Sequence, residues 1–108
     1  MEKVKVKIYK PFKDKQGNTL DVETIAQIER LLLRNAGGFT LSSINYGAWI
    51  GKVDERVDDI IHIYEMIVDN NPSIIANLRA QALVIKQEMQ QDCVLFTVEP
   101  MLEVEFVE

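Results

Sequence analysis

The stretch Val57-Asp58-Asp59-Ile60-Ile61-His62-Ile63-Tyr64-Glu65-Met66-Ile67-Val68 decides the fold. Its apolar residues fit helical spacing, since Val57, Ile60, Ile61, Tyr64, Ile67 and Val68 fall on one side of a helix. They also fit a strand. The segment is dominated by β-branched and aromatic residues and lacks a cluster of strong helix formers, so it is read as extended. Ile61, Ile63 and Ile67 then point one way, and Ile60, His62, Tyr64, Met66 and Val68 the other. Both faces are largely apolar, which calls for two partners, one inside the chain and one outside it.

Working outward, Gly51 to Arg56 is polar and joins this strand to a preceding one as a hairpin. That preceding strand spans Phe39 to Trp49, where Gly47 marks a bulge or a close backbone approach. Upstream of Gly37, a helix runs back to Asp21, which can cap it, with Leu20 and Ile25 placed as a hydrophobic staple. Val22, Ile25, Ile28 and Leu32 form its stripe, widened by Leu31 and Leu33. Gly37 is its left-handed terminator. At the start of the chain, Val4, Val6 and Ile8 alternate with Lys3, Lys5 and Lys7 in a strand closed by Pro11.

Downstream, Asn71-Pro72-Ser73 opens a second helix. Ile75, Leu78, Ala82, Ile85 and Met89 carry it to about Gln91. Cys93 to Val98 reads as a strand, and Leu102, Val104 and Phe106, alternating with Glu103 and Glu105, as a further C-terminal strand segment. The order β-α-β-β-α-β defines an α+β, ferredoxin-like fold with both helices on one face of an antiparallel sheet. At 108 residues the chain is one domain, residues 1–108.

Composition narrows the function classes. The formal net charge of −5 argues against nonspecific nucleic-acid binding, which draws on lysine and arginine. Six lysines against Glu2 and Asp14 give the first fifteen residues +4, leaving −9 for the rest. Placed centrally beside the last strands, Lys3, Lys5 and Lys7 are expected to pair with Glu103 and Glu105; an anion site is the alternative. No apolar run approaches the ~20 residues of a membrane span. The single Cys93, flanked by Val94, Leu95 and Phe96, excludes an intrachain disulfide and is expected to be a buried thiol. A cytoplasmic protein without membrane contact is expected.

Certain residues together resemble an uncharacterised bacterial family of small ferredoxin-like proteins bearing a G-F-T, G-x-W, E and Q-E-x-V series. They are Gly38-Phe39-Thr40, Gly47-x-Trp49, Glu55, and Gln91-Asp92-Cys93-Val94. The resemblance covers about residues 37 to 107. Asp92 stands where the series has glutamate, and Val57 where it has serine after the earlier glutamate. The resemblance implies the fold and carries no activity.

Few residues have the makings of chemistry. His62 is the only imidazole; it is read as a sheet-surface or interface residue, with a general acid or base as the alternative. With no second histidine and no cysteine pair, neither a metal nor a cofactor is expected. Asp54, Glu55, Asp58 and Asp59 lack the spacing of a calcium loop and read as a solvated turn.

An apolar helix-free face of Ile60, Tyr64, Met66 and Val68 marks an association surface. The expectation is therefore a homodimer or higher cyclic homo-oligomer, acting as a non-catalytic binding or regulatory module for a small-molecule ligand or a protein partner. Its ligand or interface residues would be Tyr46, Trp49, Ile60, His62, Tyr64 and Met66. A small cofactor-free enzyme using His62 and a purely structural interaction domain are the alternatives.

Overall fold

A computed structural model describes residues 2–108. Its elements run β1 (Lys3–Pro11), α1 (Val22–Ala36), β2 (Thr40–Ile50), β3 (Arg56–Asp69), α2 (Pro72–Glu88) and β4 (Phe96–Pro100). The strands form one antiparallel sheet in the order β2-β3-β1-β4. The element order and the central position of β1 are those read from the sequence.

The helices start and stop where the local chemistry requires. Asp21 accepts the Thr24 N–H at 2.7 Å, filling one of the orphan donors of the first turn of α1. Gly37, at φ 80°, ends that helix by donating its N–H to the Leu33 carbonyl. Asn71 accepts from Ser73 and Ile74 ahead of Pro72, capping α2. The stripe on α1 buries Ile28 and Leu32 and leaves Val22 and Leu33 exposed, so it is narrower than expected.

The core lies between the helices and one sheet face: Val4, Val6 and Ile8 of β1, Tyr64, Met66 and Val68 of β3, and Leu78, Ala82, Ile85 and Met89 from α2 and its cap. This inverts the face expected for Tyr64, Met66 and Val68, which meet the helices and not the open side. The cause is register. Val4 stands opposite Val68, Val6 opposite Met66 and Ile8 opposite Tyr64, so the inward side of β1 fixes the inward side of β3. The open face of the pair carries Lys3, Lys5, Lys7 and Tyr9 beside Ile61, Ile63, Glu65, Ile67 and Asp69.

Three further expectations are corrected. Lys3 pairs with Asp69 at 2.6 Å, and Lys5 with Glu65 at 3.1 Å and Glu99 at 3.9 Å, so Glu103 and Glu105 are not the partners. Residues 102–106 form no strand, and β4 begins at Phe96, three residues later than expected. Cys93 therefore sits in the preceding irregular segment, where it is exposed.

Candidate functional site

Two places bring functional side chains together. The first lies at the root of the hairpin, on the helix side of the sheet. The parity that buries Val4, Val6 and Ile8 also points Lys10 inward, and Lys10 is only 2% exposed. It stands opposite His62. Its ammonium has a weak bond to the Pro11 carbonyl at 3.4 Å. Burial lowers the pKa of Lys10, while the negative charge of Glu29 partly restores it.

Glu29, half-buried on α1, accepts the Tyr64 hydroxyl at 2.7 Å. Burial first, and then that bond and charge, raise the pKa of Tyr64 and hold it neutral. His62 packs its ring on Phe12, centroids 5.3 Å apart. Its pKa is lowered by burial and by the Lys10 charge, against the opposing pull of Glu29. At neutral pH the imidazole is thus the uncharged form, able to accept or donate one proton. Lys10 and Glu29 carry no sequence signal of their own beyond β1 parity and the helical stripe.

The second place is the hairpin beyond Ile61. Strand β1 ends its pairing at Pro11–Ile61, so Tyr46 to Ile50 and Arg56 to Ile60 continue as a two-stranded arm. One face of this arm carries Tyr46, which donates to Asp58; Arg56 donates to the same Asp58 at 2.9 Å and to the Tyr46 oxygen at 2.9 Å. The opposite face carries Trp49, Val57 and Asp59. Gly47 is there because a Cβ would stand 2.5 Å from Ile61 Cδ1 and 2.9 Å from Trp49 Cζ3. This is the close approach expected of Gly47; the irregularity in pairing lies instead between Ser42 and Asn45.

The expected grouping of His62, Tyr64 and Met66 with Trp49 does not form. His62, Tyr64 and Met66 lie on the helix side, and Trp49 lies on the open side. Ile60 is exposed on the same face as Tyr46.

Trp49 has other company. With Glu55, Asp59, Gln91, Asp92 and Lys15 it lines a cavity of about 480 Å³ between the arm and the segments before and after the helices. Glu55 reaches this position by folding back on the arm turn, where it accepts the Val53 N–H at 3.0 Å. Asp92 is held by Lys15 at 2.8 Å and Lys52 at 3.7 Å, which keep its carboxyl below the usual range. Asp59 goes the other way: burial first, then the neighbouring Asp58 charge, raises its pKa. Trp49, Glu55, Gln91 and Asp92 thus meet at one cavity although they lie up to 43 positions apart. A neighbouring apolar groove of about 570 Å³ runs along the open face over Tyr9, Ile61, Ile63, Trp49 and Leu95. Both volumes fall in the range of small-molecule sites.

Among the described residues, no cluster of three or more histidine, cysteine, aspartate and glutamate side chains has the geometry to hold a metal ion. No helix among them is long and apolar enough to cross a membrane.

No protein-family model and no curated protein matches the chain. Its fold is similar to solved structures. A phage SAM lyase in complex with S-methyl-5'-thioadenosine aligns with a TM-score of 0.71 at 9% identity, covering 92% of this chain and 81% of that one. CutA1 from Oryza sativa aligns at 0.65 and 10% identity, covering 97% and 84%. The divalent cation tolerance protein (Cut A1) from Thermus thermophilus aligns at 0.63 and 13% identity, covering 95% and 87%. At such identities the likeness is one of fold, and the fold is α+β and ferredoxin-like, as the sequence indicated.

Proposed function

We propose that this protein is a cytoplasmic, homo-oligomeric, non-catalytic binding module whose ligand cavity lies against the hairpin arm. One observation carries the proposal: the arm exposes Ile44, Tyr46, Trp49, Ile50, Val53 and Ile60, with nothing among the described residues to cover them. Isolated exposed hydrophobics are ordinary, but Tyr46, Ile50 and Ile60 lie together on one face of the arm, and an exposed apolar grouping of this kind marks an association site. Oligomerisation would cover the arm and wall in the cavity around Trp49, Glu55 and Asp59.

The only tryptophan reports on this directly. In a single chain Trp49 is 40% exposed. Quenching of its emission by acrylamide is expected to be weak in the concentrated protein and to strengthen on dilution. Full quenching at every concentration contradicts the proposal.

A second reading, a small cofactor-free enzyme, draws on the convergence of His62 with Lys10, Glu29 and Tyr64, and on the fact that the same fold serves a phage SAM lyase. Fold alone does not bring an activity with it. The ring of His62 packs at a tilt against Phe12, and the partner it needs for acid–base work would be Lys10 or Glu29. A His62→Ala chain that keeps its mass in solution and its cellular activity removes this reading.

A further inference from the structure

The segment Leu102-Glu103-Val104-Glu105-Phe106-Val107 alternates as a strand with one buried face does, yet it pairs with nothing. Leu102 is 107% exposed, Phe106 72% and Val107 82%. Among the described residues, no backbone hydrogen bond ties 102–107 to any strand; the last such bond is Met101 N–H to the Lys3 carbonyl. A pattern that specifies a strand, on backbone left unpaired, lacks an edge to join.

The chain also has an edge that lacks a partner. Strand β2 is bonded on one side only, to β3. It is eleven residues long, Thr40–Ile50, and contains no charged residue and no proline. Edge strands are normally protected from association by lysine, proline or shortness. The opposite edge, β4, follows that rule: it has five residues, with Glu99 and Pro100 among them. Only β2 is left open.

Residues 102–107 cannot serve this edge within their own chain. They depart beside β4, and the outer side of β2 lies about four strand spacings away. At about 4.8 Å per strand that is about 19 Å, which consumes roughly six residues of extended chain. The crossing would use up the whole segment and leave none of it to pair. In its own chain Phe106 lines a cavity with Lys3, Ile67, Gly38 and Thr40, near the start of β2.

We infer that residues 102–107 of one copy add as a strand to the free edge of β2 in a second copy. This rests on the oligomeric reading above and names its interface. Donor and acceptor are different surfaces of the same chain, so each copy gives one strand and receives one, and the assembly closes as a ring. Main-chain hydrogen bonds supply the affinity, and Leu102, Val104 and Phe106 reach the apolar side chains along β2.

Two variants and their mixture test this. A chain ending at Met101 loses the donor; an Ile44→Glu/Ile50→Glu chain places charge where Leu102, Val104 and Phe106 would pack at the acceptor. All altered residues lie outside the core, and circular dichroism checks that both variants fold. By native mass spectrometry the full chain, of 12.4 kDa per copy, is expected as an oligomer and each variant alone at the mass of one copy of itself. Mixed in equal amounts, the variants retain one competent interface between them and are expected to form a two-chain complex and nothing larger. A truncated chain that keeps the full oligomeric mass, or a mixture that stays as single chains, overturns this inference while leaving the oligomeric reading standing. A full chain that is itself single overturns both.

Discussion

Val6 and Met66 stand directly opposite each other across β1 and β3, and both are fully buried. Every face assignment in the molecule follows from that pair. It places Tyr64 and Val68 under the helices, Lys5 and Ile67 on the open side, and, by continued alternation, Trp49 on the side away from His62.

Met66→Ala therefore opens a cavity in the core. A loss of about 2–4 kcal/mol in denaturant unfolding is expected, with no change in oligomeric mass after correction for the unfolded fraction. A loss below about 0.5 kcal/mol would return Met66 to the surface.

Lys10 is a buried charge with a single weak hydrogen bond. Lys10→Met keeps the stem and removes the charge, so stability at pH 7 is expected to be unchanged or to rise by up to about 3 kcal/mol. Because the folded-state pKa is lowered, the unfolded chain binds more protons between that pKa and the ordinary value of 10.5. This group thus makes stability rise with pH in that window and fall as pH drops through the folded pKa. Chemical denaturation from pH 7 to 10 should show the rise in the native chain and a flatter profile in Lys10→Met. An identical slope in both chains counts against a strained ammonium. Glu29, His62 and Tyr64 face the same place; His62, with its pKa also lowered, adds its own loss of stability below pH 6.5.

The Tyr64 hydroxyl and the Glu29 carboxylate satisfy each other at 2.7 Å. Tyr64→Phe leaves the half-buried carboxylate without its donor, at an expected cost of about 1–3 kcal/mol. The double variant with Glu29→Gln should cost less than the sum of the single ones, a coupling that a double-mutant cycle reads.

Gly47→Ala asks Ile61 and the Trp49 ring to move aside. The expected cost is about 1–3 kcal/mol, accompanied by a shift in tryptophan emission, since the ring is what the new methyl meets. An unshifted spectrum would mean that the indole does not lie over Gly47.

The sequence made the element order legible because alternation in β1, the caps at Asp21 and Asn71 and the glycine at position 37 are local signals, each with its own mechanism. It did not make the faces of β3 legible. Ile60, Tyr64, Met66 and Val68 on one parity are as apolar as Ile61, Ile63 and Ile67 on the other, so only pairing with β1 decides between them. The burial of Lys10 was available from the parity of Val4, Val6 and Ile8, but a lysine at an inward position runs against the usual rule. Cys93 is exposed because β4 starts three residues later, at Phe96, and leaves Cys93, Val94 and Leu95 in the irregular segment before it. Trp49, Glu55, Gln91 and Asp92 could be picked out as a series, whereas their meeting at one cavity depends on where the arm folds relative to the segment after α2.

Association through the apolar arm and the open edge of β2 is tested most directly by sedimentation equilibrium of the full chain over a wide concentration range. The expected result is an integral multiple of 12.4 kDa that dissociates, if at all, only on dilution. A mass of one chain at every concentration would contradict it.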